Sequence, residues 1–303
     1  MTESDGLYVD RRTGAVQREQ VFARRLLFWL HNARPGLWLT RVLLRQPLLS
    51  KCYGWYHRQP VSRHKIARFV RQLDVDTSEC SQPLAAYRSF NEFFIRQLAP
   101  GRRPVDGHPE RCVSPVDGKL IAIQELSADQ PVRIKQHRFN LFSFLRDDAL
   151  ARQFDGGSML ICRLSLADYH HVHFPDSGVP HAPRRIPGSL YAGGPYARRY
   201  LIPFYDENVR ELTAFDSDHF GSLLIVEVGA FTVGSICQQF VPRQRVSRGD
   251  LKGHFELGGS TVVLLFRPDC IRFDADLLQN SQRQLETYVR MGEHVGFGSG
   301  STP

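Results

Sequence analysis

The chain has 303 residues, 42% hydrophobic and 23% charged, an ordinary folded composition with room for one large domain or two small ones. Its formal net charge of +8 is uneven: residues 1–72 hold 14 Lys/Arg against 4 Asp/Glu, and the rest hold 25 against 27. Six scattered cysteines without a Cys-x-x-Cys pair argue against a zinc ribbon and a disulfide framework, and fit reduced thiols in a cytosolic compartment.

The opening residues Met1–Asp5 are acidic and polar, unlike a signal or transit peptide. Leu7 to Val16 reads as a short hairpin turning at Thr13-Gly14. From Glu19 to about Val70 the pattern is helical, broken at Pro35-Gly36, Pro47 and Pro60. Val21, Phe22, Leu26, Trp29 and Leu30 recur at spacings of three and four beside Arg24 and Arg25. Leu37, Trp38, Val42, Leu43 and Leu44 follow beside Arg41 and Arg45. Short basic amphipathic helices with Trp and Phe suit an anionic bilayer surface, although packing on a protein core produces the same pattern. No helix-turn-helix, zinc finger or RNA-binding signature points to nucleic acid, and no run of 18 apolar residues predicts a membrane-spanning helix.

Tyr87 to Leu98 reads as a further amphipathic helix, with Ser89 placed to cap it and Glu92 to complete a capping box. Beyond Arg111 the chain is strand-rich, with strands expected at Lys119–Ile123, Met159–Leu164, Leu223–Ile236 and Thr261–Phe266. Helices are expected near Leu141–Phe154 and Leu277–Met291. The class is α+β, a mostly antiparallel β core with N-terminal amphipathic helices. The division expected is an N-terminal, membrane-associating part over 1–72 and a catalytic domain over 73–303.

Three pieces carry chemistry-bearing residues. Asp117 lies in a Pro-x-Asp-Gly turn at a strand start, where aspartate is ordinary. His170, His171 and His173 stand together in Asp168-Tyr-His-His-Val-His-Phe-Pro175. Ser260 follows Gly258-Gly259 immediately ahead of an apolar, β-branched run. A metal site would use two of the histidines with a third ligand such as His219 or Asp218, but no His-Glu-x-x-His or similar ligand spacing supports it, so no metal is expected. Acid–base work is the other use: a histidine oriented by an aspartate takes a proton from a serine hydroxyl, with Asp117, His173 and Ser260 available in that chain order.

These residues resemble the pyruvoyl-dependent, self-cleaving phosphatidylserine decarboxylases. The resemblance is carried by Phe90-Asn-Glu-Phe-Phe94, Ser114-Pro-Val-Asp-Gly118, Asp168-Tyr-His-His-Val-His-Phe-Pro175 and Gly258-Gly-Ser-Thr261. Tyr8 to Gly14, Tyr53-Gly-Trp-Tyr56 and Met291-Gly-Glu293 also match, and together they are similar to the bacterial branch with a Gly-Gly-Ser-Thr motif. The chain departs from frequent family residues at Gly258, where leucine is common, at His171, where arginine is common, and at Lys135-Gln136, where Lys-Gly is common.

The resemblance implies a proenzyme. Asp117 and His173 would activate Ser260, whose hydroxyl attacks the Gly259 carbonyl and converts the peptide to an ester. Elimination would then release a β chain (1–259) and leave an α chain (260–303) headed by a pyruvoyl group. That ketone would form a Schiff base with the amine of phosphatidylserine and act as an electron sink for CO₂ loss, with His170 as candidate proton donor. The resemblance also implies peripheral attachment at the cytoplasmic face of a bacterial cell membrane and allows a homodimer. Two alternatives leave the chain uncleaved: a serine hydrolase using Asp117, His173 and Ser260 intact, and a non-enzymatic membrane-surface adaptor. Against the hydrolase, the chain has no Gly-x-Ser-x-Gly elbow.

Overall fold

The computed structural model describes residues 6–20, 47–134, 137–190, 204–230, 236–258 and 260–299. The basic amphipathic stretch from Val21 to Arg45, the Lys135-Gln136 pair and Gly259 lie outside these residues.

A ten-stranded sheet organises the molecule. Its order runs Arg184–Ile186, Arg210–Ser217, Gly221–Gly229, Ser260–Phe266, Ser158–Leu164, Gly118–Ile123, Glu286–Val289, Leu7–Asp10 and Val16–Arg18. Gly178–Pro180 joins the far half of the second strand. Every pairing is antiparallel except that of Leu7–Asp10 with Glu286–Val289. The expected hairpin at the start of the chain therefore forms one end of this sheet, turning at Gly14 with φ +69°.

The Ser260–Phe266 strand is buried along its whole length. Alternation sends Val262, Leu264 and Phe266 into one apolar cluster with Leu120, Leu160, Cys162 and Ile225. Val263 and Leu265 enter a second, with Ile161, Val226 and Phe144. A strand buried on both faces reads as a continuous apolar run, which is the pattern its sequence has.

A third apolar cluster sits over the start of this strand. Ile66, Phe69 and Leu73 of the Lys65–Leu73 helix pack there with Phe90, Phe93, Phe94 and Leu257. The Tyr87–Leu98 segment is helical only over Phe90–Phe94. Ser89 Oγ accepts from Glu92 N at 3.2 Å, and Glu92 Oε2 accepts from Arg88 N at 2.7 Å, so the capping box closes one residue early.

Two expected helices are shorter than their periodicity suggests. The 141–154 stretch forms Leu141–Leu145 and Asp148–Arg152, separated where Arg146 takes a left-handed φ of +47° and Asp147 caps the second helix. Ala275–Gln282 is helical, but Gln284 turns the chain at φ +60° and Glu286–Val289 enters the sheet. Thr287 and Val289 are β-branched, and pairing with Gly118–Ile123 on one side and Leu7–Asp10 on the other outweighs the helical spacing.

Candidate active site

Ser260 opens the central strand, held between Gly229 and Leu164 and 2% exposed. Gly258, just before it, has a φ of +140°, a conformation open to glycine. Ser260 Oγ stands 3.4 Å from His170 Nδ1. That is long for a hydrogen bond to a hydroxyl, so it orients the group without committing it.

His170 reaches this position from the loop that follows Ser158–Leu164. Asp168 closes the loop by accepting from Ser165 N at 2.6 Å, and Lys119 Nζ ties Asp168 and Ser165 together at 3.1 and 2.8 Å. The imidazole lies flat against Phe94, ring centroids 4.0 Å apart. Burial pushes His170 down to about 3, and the positive charge of Arg96 acts in the same sense. The ring is therefore neutral at neutral pH, and its Nδ1 can accept a hydrogen bond from the Ser260 hydroxyl.

His173 lies in a three-residue strand, His171–His173, that pairs with Leu251–Phe255. Its backbone N–H donates to Pro115 O at 2.8 Å, which joins this strand to the turn bearing Asp117. His173 Nδ1 lies 2.8 Å from the Gly249 carbonyl, so it carries the proton and leaves Nε2 as the basic nitrogen. Tyr169 Oη is 3.3 Å from that Nε2. Burial lowers His173, while Gly249 and the charge of Asp117 oppose the shift.

Asp117 is 1% exposed. Its carboxylate accepts from Arg103 at 2.5 to 3.0 Å and from Met291 N at 2.8 Å. Arg103 also grips Glu79 at 2.9 and 3.1 Å, and Arg290 completes the network on Glu79. Among the described residues no hydrogen bond joins Asp117 to His173, or His173 to Ser260. The link is electrostatic: the charge of Asp117 raises both His173 and Tyr169.

The histidines weighed as metal ligands have separate partners. His171 stacks on Tyr169 at 4.6 Å, and His219 pairs with the buried Asp176 at 3.0 Å. Among the described residues no group of three or more His, Cys, Asp or Glu is arranged to hold a metal ion.

The sequence reading missed Tyr169, Arg103 and Arg96 as members of this region. Tyr169 stands inside the histidine motif, so its position was the available signal. Arg103 lies between Pro100 and Pro104, where no periodicity marks it.

A family model described as phosphatidylserine decarboxylase matches residues 90–297. A protein of Desulfitobacterium hafniense (strain Y51) named phosphatidylserine decarboxylase proenzyme is 40% identical over 289 residues, spanning 95% of this chain and 97% of its own. One of the same name from Chlamydia trachomatis serovar D is 42% identical over 296 residues, 98% of each chain. One from Clostridium perfringens (strain SM101) is 37% identical over 287 residues, 95% of this chain and 98% of its own. The matched region runs from the Phe90–Phe94 helix through the histidine motif and Ser260 to the last strand, and the chain belongs to the phosphatidylserine decarboxylase family.

Proposed function

We propose that this chain is the self-cleaving precursor of an enzyme that converts phosphatidylserine to phosphatidylethanolamine and CO₂. The cleaved bond is Gly259–Ser260, giving a β chain of 1–259 and an α chain of 260–303, and the prosthetic group is a pyruvoyl derived from Ser260. The observation that carries the reading is Ser260 itself: a buried hydroxyl at the head of the central strand, against a neutral imidazole and two residues after Gly258. A pyruvoyl at this position supplies a carbonyl electrophile and an electron sink that ordinary side chains lack. The surroundings fit such a group, being dry and lined by Phe94 and His170.

In this reading Asp117 and His173 activate Ser260 for attack on the preceding carbonyl. His173 keeps Nε2 free of a proton through its bond to Gly249, and Asp117 favours the imidazolium that forms when the ring accepts one. His170 holds the Ser260 hydroxyl in the precursor. Next to the group that Ser260 would become, His170 would be the residue placed to supply the proton that replaces CO₂. The intact serine hydrolase gains nothing from this geometry, because Ser260 opens a buried strand and is not raised on an exposed turn.

The lipid substrate requires a membrane surface, and the basic 1–72 segment suits one. Tyr53, Trp55 and Val61 are 43, 64 and 61% exposed, an aromatic and aliphatic group of the kind that enters an interface. Among the described residues no helix is long and apolar enough to cross a membrane.

Denaturing mass spectrometry with a lipid assay tests the proposal. Active protein should separate into two fragments divided before residue 260, and Ser260→Ala should remain whole and inactive. His173→Ala should remain whole, whereas His170→Ala should cleave and lose decarboxylation. A single 34.6 kDa species in fully active protein would refute the proposal.

A further inference from the structure

Arg96 lies just beyond the Phe90–Phe94 helix and is 5% exposed. Its guanidinium packs over the Phe93 ring, 5.2 Å from the centroid. Nη2 donates to Ala167 O at 2.6 Å and more weakly to Asp168 O at 3.4 Å. Nε and Nη1 are buried and have no partner among the described residues.

The nearby carboxylates are committed elsewhere: Asp168 to Lys119 and Asp117 to Arg103. Two further buried nitrogens beside this group, His170 Nε2 and His171 Nδ1, also lack partners. Among the described residues Arg111 and Arg290 each also leave Nε unpartnered, but both side chains are about a third exposed and hold a carboxylate, and the more deeply buried cations are held. Arg163 holds Glu19 and Glu286, Lys252 holds Glu227, and every nitrogen of Arg210 donates to a backbone carbonyl. A buried charge with no partner is costly, because it has given up water without gaining an opposite charge. Arg96 is in this state close enough for its charge to act on His170, the neighbour of Ser260.

We propose that Arg96 is the anion-binding residue of the active site and takes the phosphodiester of the lipid head group through a charge-assisted hydrogen bond from one of its two unpartnered nitrogens. The inference rests on the decarboxylase reading above and specifies how its substrate is held. Two anions of phosphatidylserine compete for the role, and transition-state logic separates them. The carboxylate loses its charge as CO₂ departs, so an arginine on it would stabilise the starting state and raise the barrier. The phosphodiester keeps its charge throughout, and holding it anchors the head group with no such penalty. An anion there has a further effect, because it offsets the positive field that helps keep His170 neutral and so eases proton delivery.

The test uses self-cleaved enzyme and two amines, captured on the α chain by cyanoborohydride and weighed. Glycerophosphoethanolamine carries the phosphodiester without a carboxylate; L-serine carries the carboxylate without a phosphate. Wild type should capture both, and inorganic phosphate should compete with the first. Arg96→Gln should slow capture of glycerophosphoethanolamine at least tenfold and leave serine unchanged, with Arg96→Lys intermediate. The KM for phosphatidylserine should rise more than kcat falls. Equal loss for both amines assigns a structural role and overturns the proposal, as does selective loss of serine capture. Folded Arg96→Gln and Arg96→Lys chains that both stay uncleaved would place Arg96 in maturation and also overturn it. Wild type capturing neither amine would instead sink the pyruvoyl reading and this proposal with it.

Discussion

With its Nδ1–H committed to Gly249, His173 presents a lone pair on Nε2 toward Tyr169 Oη. A tyrosine donor there both aims the ring and competes for the lone pair. Removing one neutral hydrogen bond is worth about 1 kcal/mol, so Tyr169→Phe should change the self-cleavage rate less than tenfold where His173→Ala stops it. The disappearance of precursor on a denaturing gel measures both. Burial of the histidines has a separate consequence for stability. His170 and His171 are held at about 3, below the ~6.5 of an exposed histidine. As pH falls the unfolded chain takes up these protons first. Their stability contribution is complete above about 6.5 and is lost progressively as pH drops toward their folded values. Each site adds a slope of about 1.4 kcal/mol per pH unit in that window. Urea denaturation of the uncleaved Ser260→Ala form between pH 7 and 5 should show the decline, and a flat profile would contradict the dry histidine environment. Glu19, held at about 2 by Arg163 and Lys119 against the cost of burial, loses its contribution only below about 4.5, so the two effects separate.

The strand bearing His171 and His173 depends on a neighbour with no side chain. Gly253 lies in the Leu251–Phe255 strand between that strand and Ile236–Gln238, and a Cβ placed on it would meet the Cys237 carbonyl oxygen at 2.3 Å. Gly253→Ala should cost about 1–3 kcal/mol through overpacking and displace the histidine strand. The expected outcome is a larger uncleaved fraction than wild type; normal maturation would show that the small sheet tolerates the shift. Much of the element pattern was legible beforehand. The Thr261–Phe266 run gave itself away by unbroken β-branched and aliphatic residues, and the N-terminal hairpin by Thr13-Gly14. Glu286–Val289 was not legible, because spacing of apolar residues in 277–291 fits a helix and only pairing with distant strands decides otherwise. The site followed the same division. Asp117, His170, His173 and Ser260 stood out as candidates by residue type and motif, which showed neither that Asp117 is held by Arg103 nor that His170 is the ring against Ser260. Arg103 and Arg96 did not stand out, since their importance lies in which groups are buried beside them.

At the scale of the whole molecule, charge and exposed apolar surface fall in the same part of the chain. Residues 1–72 carry the basic excess, and Trp55 stands 64% exposed in the helix Pro47–Arg58. Co-sedimentation with vesicles containing anionic lipid should weaken as salt rises and weaken further with Trp55→Ala; indifference to both would assign these helices to packing. The two products of the proposed cleavage should remain together, because Ser260–Phe266 is hydrogen-bonded to Gly221–Gly229 and Ser158–Leu164, both on the N-terminal side of residue 260. Glu286–Val289 likewise sits between Gly118–Ile123 and Leu7–Asp10. The fragments should co-elute on native gel filtration and part only in denaturant.

That interleaving makes the order of events matter. The precursor folds as one chain, with the reach of its own backbone bringing strand 260–266 to the centre of the sheet. With the proposed cut before residue 260 made, the same strand would be a separate molecule, and reassembly would become a bimolecular search that depends on concentration. Dilute mature enzyme that has been unfolded should therefore recover poorly where its uncleaved Ser260→Ala counterpart refolds. On the proposed cleavage the molecule would carry a one-way history: it would be assembled in a form that does no decarboxylation, and the form that does could not readily assemble itself again.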